Sequence, residues 1–262
     1  LLNLALSSLG NFQASAYQAG IVLPLSYTIL GAASTIGSFA LYGNDKITEL
    51  VIPDTVTFIG KQAFRNCKGI IEIVLPESLE NIKEYAFEGC SALKNITVPA
   101  GVTSIGNHVF FNCTGLTEVN LPDTLKTIYS YAFENCTSLE SIDIPDSVTT
   151  MAARAFFNCT KLSEVGYPAS WSVTWDLNNR IYYSDSDSDY RSPFEGCTSL
   201  KEITVDEGVI AIPKHAFRYV EALEEVVLPE SLTSSGVYAF DGWMVSAIMD
   251  SILLRSISII ES

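Results

Sequence analysis

Residues 1–44 contain no charged side chain; every Asp, Glu, Lys and Arg lies from Asp45 onward. Basic residues are scarce throughout, 15 Lys and Arg against 30 Asp and Glu, which leaves a formal net charge of −15. Nucleic acid is therefore excluded as a natural partner, because its phosphates call for a basic surface. Histidine is nearly absent, with only two copies. The sequence has no Gly-rich phosphate loop, no Cys-x-x-Cys pair and no His-Glu-x-x-His motif, so the common sources of phosphate, redox and metal chemistry are missing. Long apolar runs are missing too. The stretch from Ala19 to Ala33 is broken by Pro24, Ser26 and Thr28 and falls short of the ~20 residues that a membrane span needs. Ala14-Ser15-Ala16 has the small-x-small form of a signal-peptidase site, but no basic segment precedes it.

What is present is repetition. Cys67, Cys90, Cys113, Cys136 and Cys159 stand 23 residues apart, and Cys197 follows after 38, one repeat lengthened by 15 residues. The same lattice reaches Val220 and Trp243, each preceded by an Ala-Phe pair (Ala216-Phe217, Ala239-Phe240). Fixed spacing in a chain of 262 residues signals repeat architecture before a disulfide framework. Residues 1–262 read as a single array of about ten units, cut mid-repeat at both ends, with an inserted loop at 174–190. The C-terminal cut is inferred from Leu254, Ile257 and Ile259, which match Leu223, Val226 and Leu228.

Each unit carries Leu-x-x-Ile-x-Leu (Leu93, Ile96, Val98; Leu116, Val119, Leu121; Leu139, Ile142, Ile144), whose period-two ending predicts one short strand. Proline with a small polar residue then stops the strand (Pro122-Asp123-Thr124, Pro145-Asp146-Ser147). Ala-Phe-x-x-Cys closes the unit, a spacing expected to set Phe and Cys on one face of a single helical turn. One such coil cannot enclose its own apolar side chains; stacking on neighbours is what folds it. The fold class expected is a leucine-rich-repeat solenoid: a parallel sheet with one strand per coil and short helical turns opposite. The cysteines would then form a buried column, either as free thiols or, in an oxidising compartment, as cross-coil disulfides such as Cys67 with Cys90.

The unit, Leu-x-x-Ile-x-Leu-Pro-x-x-Leu-x-x-Ile-x-x-x-Ala-Phe-x-x-Cys, resembles the BspA-like leucine-rich repeat family over essentially the whole chain outside the insertion. That resemblance implies a location at the cell surface or outside the cell, an adhesin-like role, and a protein or extracellular-matrix partner. No cofactor is expected and no enzyme activity, and a structural spacer whose binding domain lies elsewhere is the alternative.

Two surfaces qualify as binding sites. The outward position before the strand Ile, Leu or Val carries Glu49, Glu72, Glu118, Glu164, Glu202 and Glu225. Such a column is either a solvated face or a recognition surface for a basic partner. A second acidic column (Asp54, Glu77, Asp123, Asp146, Glu230) is explained by turn chemistry. The inserted loop holds Trp175, Tyr182, Tyr183 and Tyr190, residue types favoured as interface anchors. Its Asp185, Asp187 and Asp189 look like the start of a calcium loop, but Tyr190 stands where glycine is required and Gly196 where the bidentate Glu is required, so no metal site is expected. His108 and His215 share one repeat position four coils apart. At ~4.8 Å per coil they lie roughly 19 Å from each other, and are expected as surface residues of the helical turn. Asn95, Asn112, Asn135 and Asn158 fit the N-glycosylation pattern; for the last three, repetition is sufficient explanation.

Overall fold

The structure is a computed structural model that describes residues 34–167, 191–236 and 238–242, together with the backbone of 26–28. The two ends of the array and the insertion at 174–190 lie outside the described residues, as do Asp185, Asp187 and Asp189.

Most coils contribute two strands among the described residues, where the sequence motif predicted one. The first series runs β1 (Ser26–Thr28), β3 (Glu49–Val51), β5 (Glu72–Val74), β7 (Asn95–Thr97), β9 (Glu118–Asn120), β11 (Ser141–Ile142), β13 (Glu164–Tyr167), β14 (Glu202–Val205) and β16 (Glu225–Val227). The second is shorter: β2 (Thr35–Ile36), β4 (Phe58–Ile59), β6 (Asn81–Ile82), β8 (Ser104–Ile105), β10 (Thr127–Ile128), β12 (Thr150–Met151), β15 (Ala211–Ile212) and β17 (Ser234–Ser235). All pairings are parallel, and each residue faces its counterpart one repeat later, as Leu50 faces Ile73 and Ile128 faces Met151. Across the lengthened repeat, Gly166 faces Thr204, so β13 and β14 pair directly and the additional residues leave the stack unbroken. Between the two series the chain turns at proline: Val56 N–H donates to Pro53 O, and Leu125 N–H to Pro122 O, at 3.0 and 2.9 Å. That turn is where Asp54 and Asp123 sit, in keeping with their assignment to turn chemistry.

The expected helical turn is absent: Ala-Phe-x-x-Cys forms a tight turn, and the described residues contain no helix. The cause is a pair of left-handed residues, one directly before the Ala, or the Val109 that replaces it, and one directly before the Cys. In one coil they are Tyr85 (φ 61°) and Gly89 (φ 72°), in the next His108 (φ 56°) and Asn112 (φ 57°). Left-handed residues end the helical hydrogen-bond pattern and turn alternate N–H groups toward the neighbouring coil. Phe64, Phe87, Phe110 and Phe133 thereby donate to the carbonyls of Ala86, Val109, Ala132 and Ala155 at 2.7–3.0 Å, a third inter-coil ladder. The position before Cys is Gly or Asn in most coils because these residues tolerate the conformation best. This backbone demand, with Asn135 Nδ2 donating to Asn112 Oδ1 at 2.8 Å, explains the recurrent Asn of Asn-Cys-Thr.

The core is a set of columns. Phe64, Phe87, Phe110, Phe133, Phe156 and Phe194 are fully buried and stack successively with ring centroids 5.0–5.6 Å apart. Beside them run six buried free cysteines. Each thiol donates to a carbonyl one coil back: Cys90 to Phe64 O at 3.1 Å, Cys113 to Phe87 O at 3.2 Å, Cys136 to Phe110 O at 3.2 Å. Cysteine suits the slot because it is small and apolar yet supplies a donor. Burial pushes the Cys67 thiol up to about 12 and raises the others as well, so no thiolate is available at neutral pH.

Two measurements follow from this packing. A thiol reagent should find no reactive cysteine in the native chain and six after unreduced denaturation; fewer than six would mean that cross-coil disulfides form. Gly89→Ala should lower stability by about 1–2 kcal/mol, read as a reduced urea midpoint, because Ala must hold φ near 72° with its Cβ against Asn66 Oδ1.

Candidate interaction surface

The first series of strands forms a sheet whose outward residues alternate with buried ones: Leu50, Ile73, Ile96, Val119 and Ile203 point in, and the residue before each points out. Glu49, Glu72, Glu118, Glu164, Glu202 and Glu225 all occupy that outward position and are exposed. Register then decides how they group. Glu49 faces Glu72, and Glu202 faces Glu225. Glu118 instead faces Asn95, and Glu164 faces Ser141 on one side while the β13–β14 register aligns it with Glu202 on the other. The column is therefore a pair, a lone carboxylate and a trio, separated by Asn95 and Ser141. Adjacent carboxylates one strand apart repel by only about 0.8 kcal/mol in water, a cost the stack tolerates. Among the described residues, none of the six forms an ion pair; the nearby Lys201 pairs with Glu224 and Lys161 with Glu140. Glu118 accepts a hydrogen bond from Asn120 Nδ2 at 3.0 Å.

Sequence reasoning missed the row two residues further along each strand. Val51 and Val74 lie outward there with 59% and 67% of their surface exposed, and Ile71, just before Glu72, is 51% exposed. The signal was available: period-two alternation that puts Glu49 outward puts Val51 outward too. Trp175, Tyr182, Tyr183 and Tyr190, the other predicted anchors, lie outside the described residues.

The opposite, turn side carries the two histidines, and neither is the simple surface residue expected. His108 is half-buried and sandwiched between Tyr85 and Tyr131, with centroids 4.8 and 4.9 Å away. Burial lowers its pKa, with Glu84 acting in the other direction. His215 is buried, stacks on Tyr238 at 5.4 Å and brings Nδ1 to 3.5 Å from Arg218 Nη1. The left-handed backbone at both positions lays the rings along the stack, so aromatic neighbours one coil away cover their faces. No group of three or more His, Cys, Asp or Glu side chains among the described residues is placed to hold a metal. Nor is any described helix long and apolar enough to cross a membrane.

Next to this stack, burial raises the Glu134 carboxyl to about 7, opposed by Arg154, whose Nε pairs with Glu195 at 2.8 Å. A carboxyl that binds its proton more tightly folded than unfolded destabilises the fold as pH rises from its unfolded value of 4.5 through 7, and has no such effect at lower pH. Glu134→Gln should thus unfold at a higher urea concentration than the unsubstituted chain at pH 8, with the gap closing at pH 4. A gap that is the same at both pH values would show that Glu134 does not titrate in this way.

The match to known proteins agrees with this geometry. The sequence model of the BspA type leucine rich repeat region matches in six copies over residues 34–163 and 188–261. None of the curated protein sequences matches the chain. Among solved structures, the leucine rich repeat protein of T. pallidum is similar at 25% identity and a TM-score of 0.57, over 84% of this chain and 86% of that one. The pneumococcal vaccine antigen PcpA shares the fold at 23% identity and a TM-score of 0.51, over 79% of this chain and 61% of that one. A leucine rich cell surface protein of Faecalibacterium prausnitzii is 30% identical, with a TM-score of 0.47, over 83% of this chain and 66% of that one. With three inter-coil ladders, a phenylalanine and a cysteine column, and this match over most of its length, the chain belongs to the BspA type leucine-rich repeat family.

Proposed function

We propose that the array is a non-catalytic protein-binding module of a cell-surface or secreted, adhesin-like protein, and that it engages a basic protein or extracellular-matrix ligand through its strand face. The observation that carries this reading is the exposed column of Glu49, Glu72, Glu118, Glu164, Glu202 and Glu225, held by register on a rigid sheet and left without cationic partners inside the described chain. Unneutralised carboxylates in fixed positions steer and orient a cationic partner more than they add affinity. The inserted loop, with Trp175, Tyr182, Tyr183 and Tyr190, supplies a second contact in this reading. Membership of the family supports the surface location in this reading, and a net charge of −15 turns the choice of partner away from nucleic acid.

Immobilised extracellular-matrix proteins offer a direct test, with the chain and its Glu118→Lys, Glu164→Lys, Glu202→Lys triple variant assayed side by side. Binding should fall at least about tenfold in the variant and should weaken as salt rises from 0.1 to 0.5 M, where screening is short-ranged. Unchanged binding by the variant removes the strand face from the reading. Failure to bind any matrix protein at low salt favours the array as a spacer.

A further inference from the structure

The outward row at the third strand position changes chemistry along the sheet. It is polar at Thr97, Asn120 and Thr204 and aliphatic at Val51, Val74 and Val227, but only Val51 and Val74 are neighbours in register, since Val227 faces Thr204. Ile71, also exposed, lies on the other side of Glu72, outside the row that Val51 and Val74 form. Isolated exposed aliphatics are ordinary, whereas a contiguous cluster on a rigid sheet marks a surface meant to be covered. Glu49 and Glu72 border the cluster directly, giving the same order on both strands: carboxylate, buried residue, aliphatic.

Spacing and charge define what could cover it. Residues i and i+2 of a strand lie on one face about 6.6 Å apart, which is also the same-face period of any extended segment laid along β3 and β5. A second copy of this face would bring the Glu49 and Glu72 carboxylates of both copies into one interface without supplying a cation for them, so self-association through it is opposed by like charge. A partner of complementary charge meets no such obstacle. We infer that the β3–β5 surface docks an extended protein segment that presents, on one face, a Lys or Arg followed two positions later by Val, Ile or Leu. The cation lies over Glu49 and Glu72, and the aliphatic side chain packs on Val51 and Val74. This deepens the strand-face reading and rests on it, but confines the occupied surface to two coils.

An amide NMR titration of the whole chain with the synthetic peptide Lys-Ser-Val-Ser-Lys-Ser-Val-Ser-Lys tests the assignment, with one control peptide in which Ser replaces Val and another in which Glu replaces Lys. The expected result is saturable shifts confined to β3, β5 and their flanking turns, with affinity at least about tenfold weaker for either control and for the Val51→Ser, Val74→Ser double variant. The Glu49→Gln, Glu72→Gln double variant serves as a second, independent variant with the same expected loss, and unchanged shifts away from β3 and β5 report that either variant is folded. Equal affinity for the Val-less peptide overturns the docking site while leaving a charge-driven strand face intact. Shifts centred on β13, β14 and β16 do the same, and so does an absence of shifts with every peptide, because the matrix-protein assay relies on Glu118, Glu164 and Glu202 outside this patch. Shifts at β3 and β5 that depend on protein concentration without peptide would mean that a second copy covers the surface, which also overturns it.

Discussion

Every coil sits on a near-copy of itself, displaced by one strand spacing, and that displacement governs all the rest. Three backbone ladders impose it: the strands that include β3 and β5, the shorter ones that include β4 and β6, and the turn ladder in which Phe87 N–H reaches Val109 O at 3.0 Å. Once the displacement is fixed, a side chain at a given repeat position must pack on the same position of its neighbours. Phenylalanine at one such position therefore becomes a ring stack, and cysteine becomes a column of thiols with donors satisfied by the coil before. Because no coil can bury its apolar residues alone, stability resides in these interfaces between coils more than within any coil.

The same constraint writes the surface. An outward residue repeated in sequence becomes a row in space, whatever its chemistry, and the row costs little when water screens it. Glu49 beside Glu72 and Val51 beside Val74 are two results of one rule. The first row is charge without an ion-pair partner among the described residues, and the second is exposed apolar area. Neither helps the coils to stack, and both are properties that a ligand can use. On the turn side the rule produces the opposite outcome: aromatic rings and histidines cover one another, as Tyr85, His108 and Tyr131 do, and ion pairs such as Arg65 with Glu88 close the column.

Period-two alternation made the inward and outward positions of the strands readable, and the 23-residue lattice made the columns readable, so the six outward glutamates stand where the motif puts them. Three features escaped. The second strand of each coil, two residues such as Phe58 and Ile59, is too short to carry a periodic signal of its own. The turn was read as helical because Ala-Phe-x-x-Cys satisfies a helical spacing, and only the positive φ at residues such as Tyr85 and Arg154, types with no preference for that region, shows otherwise. The burial of His215 depends on its coil neighbour Tyr238 being laid over it, a contact between residues 23 apart.

Sequence by itself determined the repeat, its length, the inward-facing residues and the acidic character of the strand face, because each of these is a local pattern copied from coil to coil. Only the tertiary structure decided that the lengthened repeat still brings Glu164 into line with Glu202, that the thiols act as hydrogen-bond donors, and that the rings of Tyr85, His108 and Tyr131 cover one another. Those outcomes depend on register between coils and on left-handed turns, which place residues of neighbouring coils side by side and which no single copy of the motif encodes.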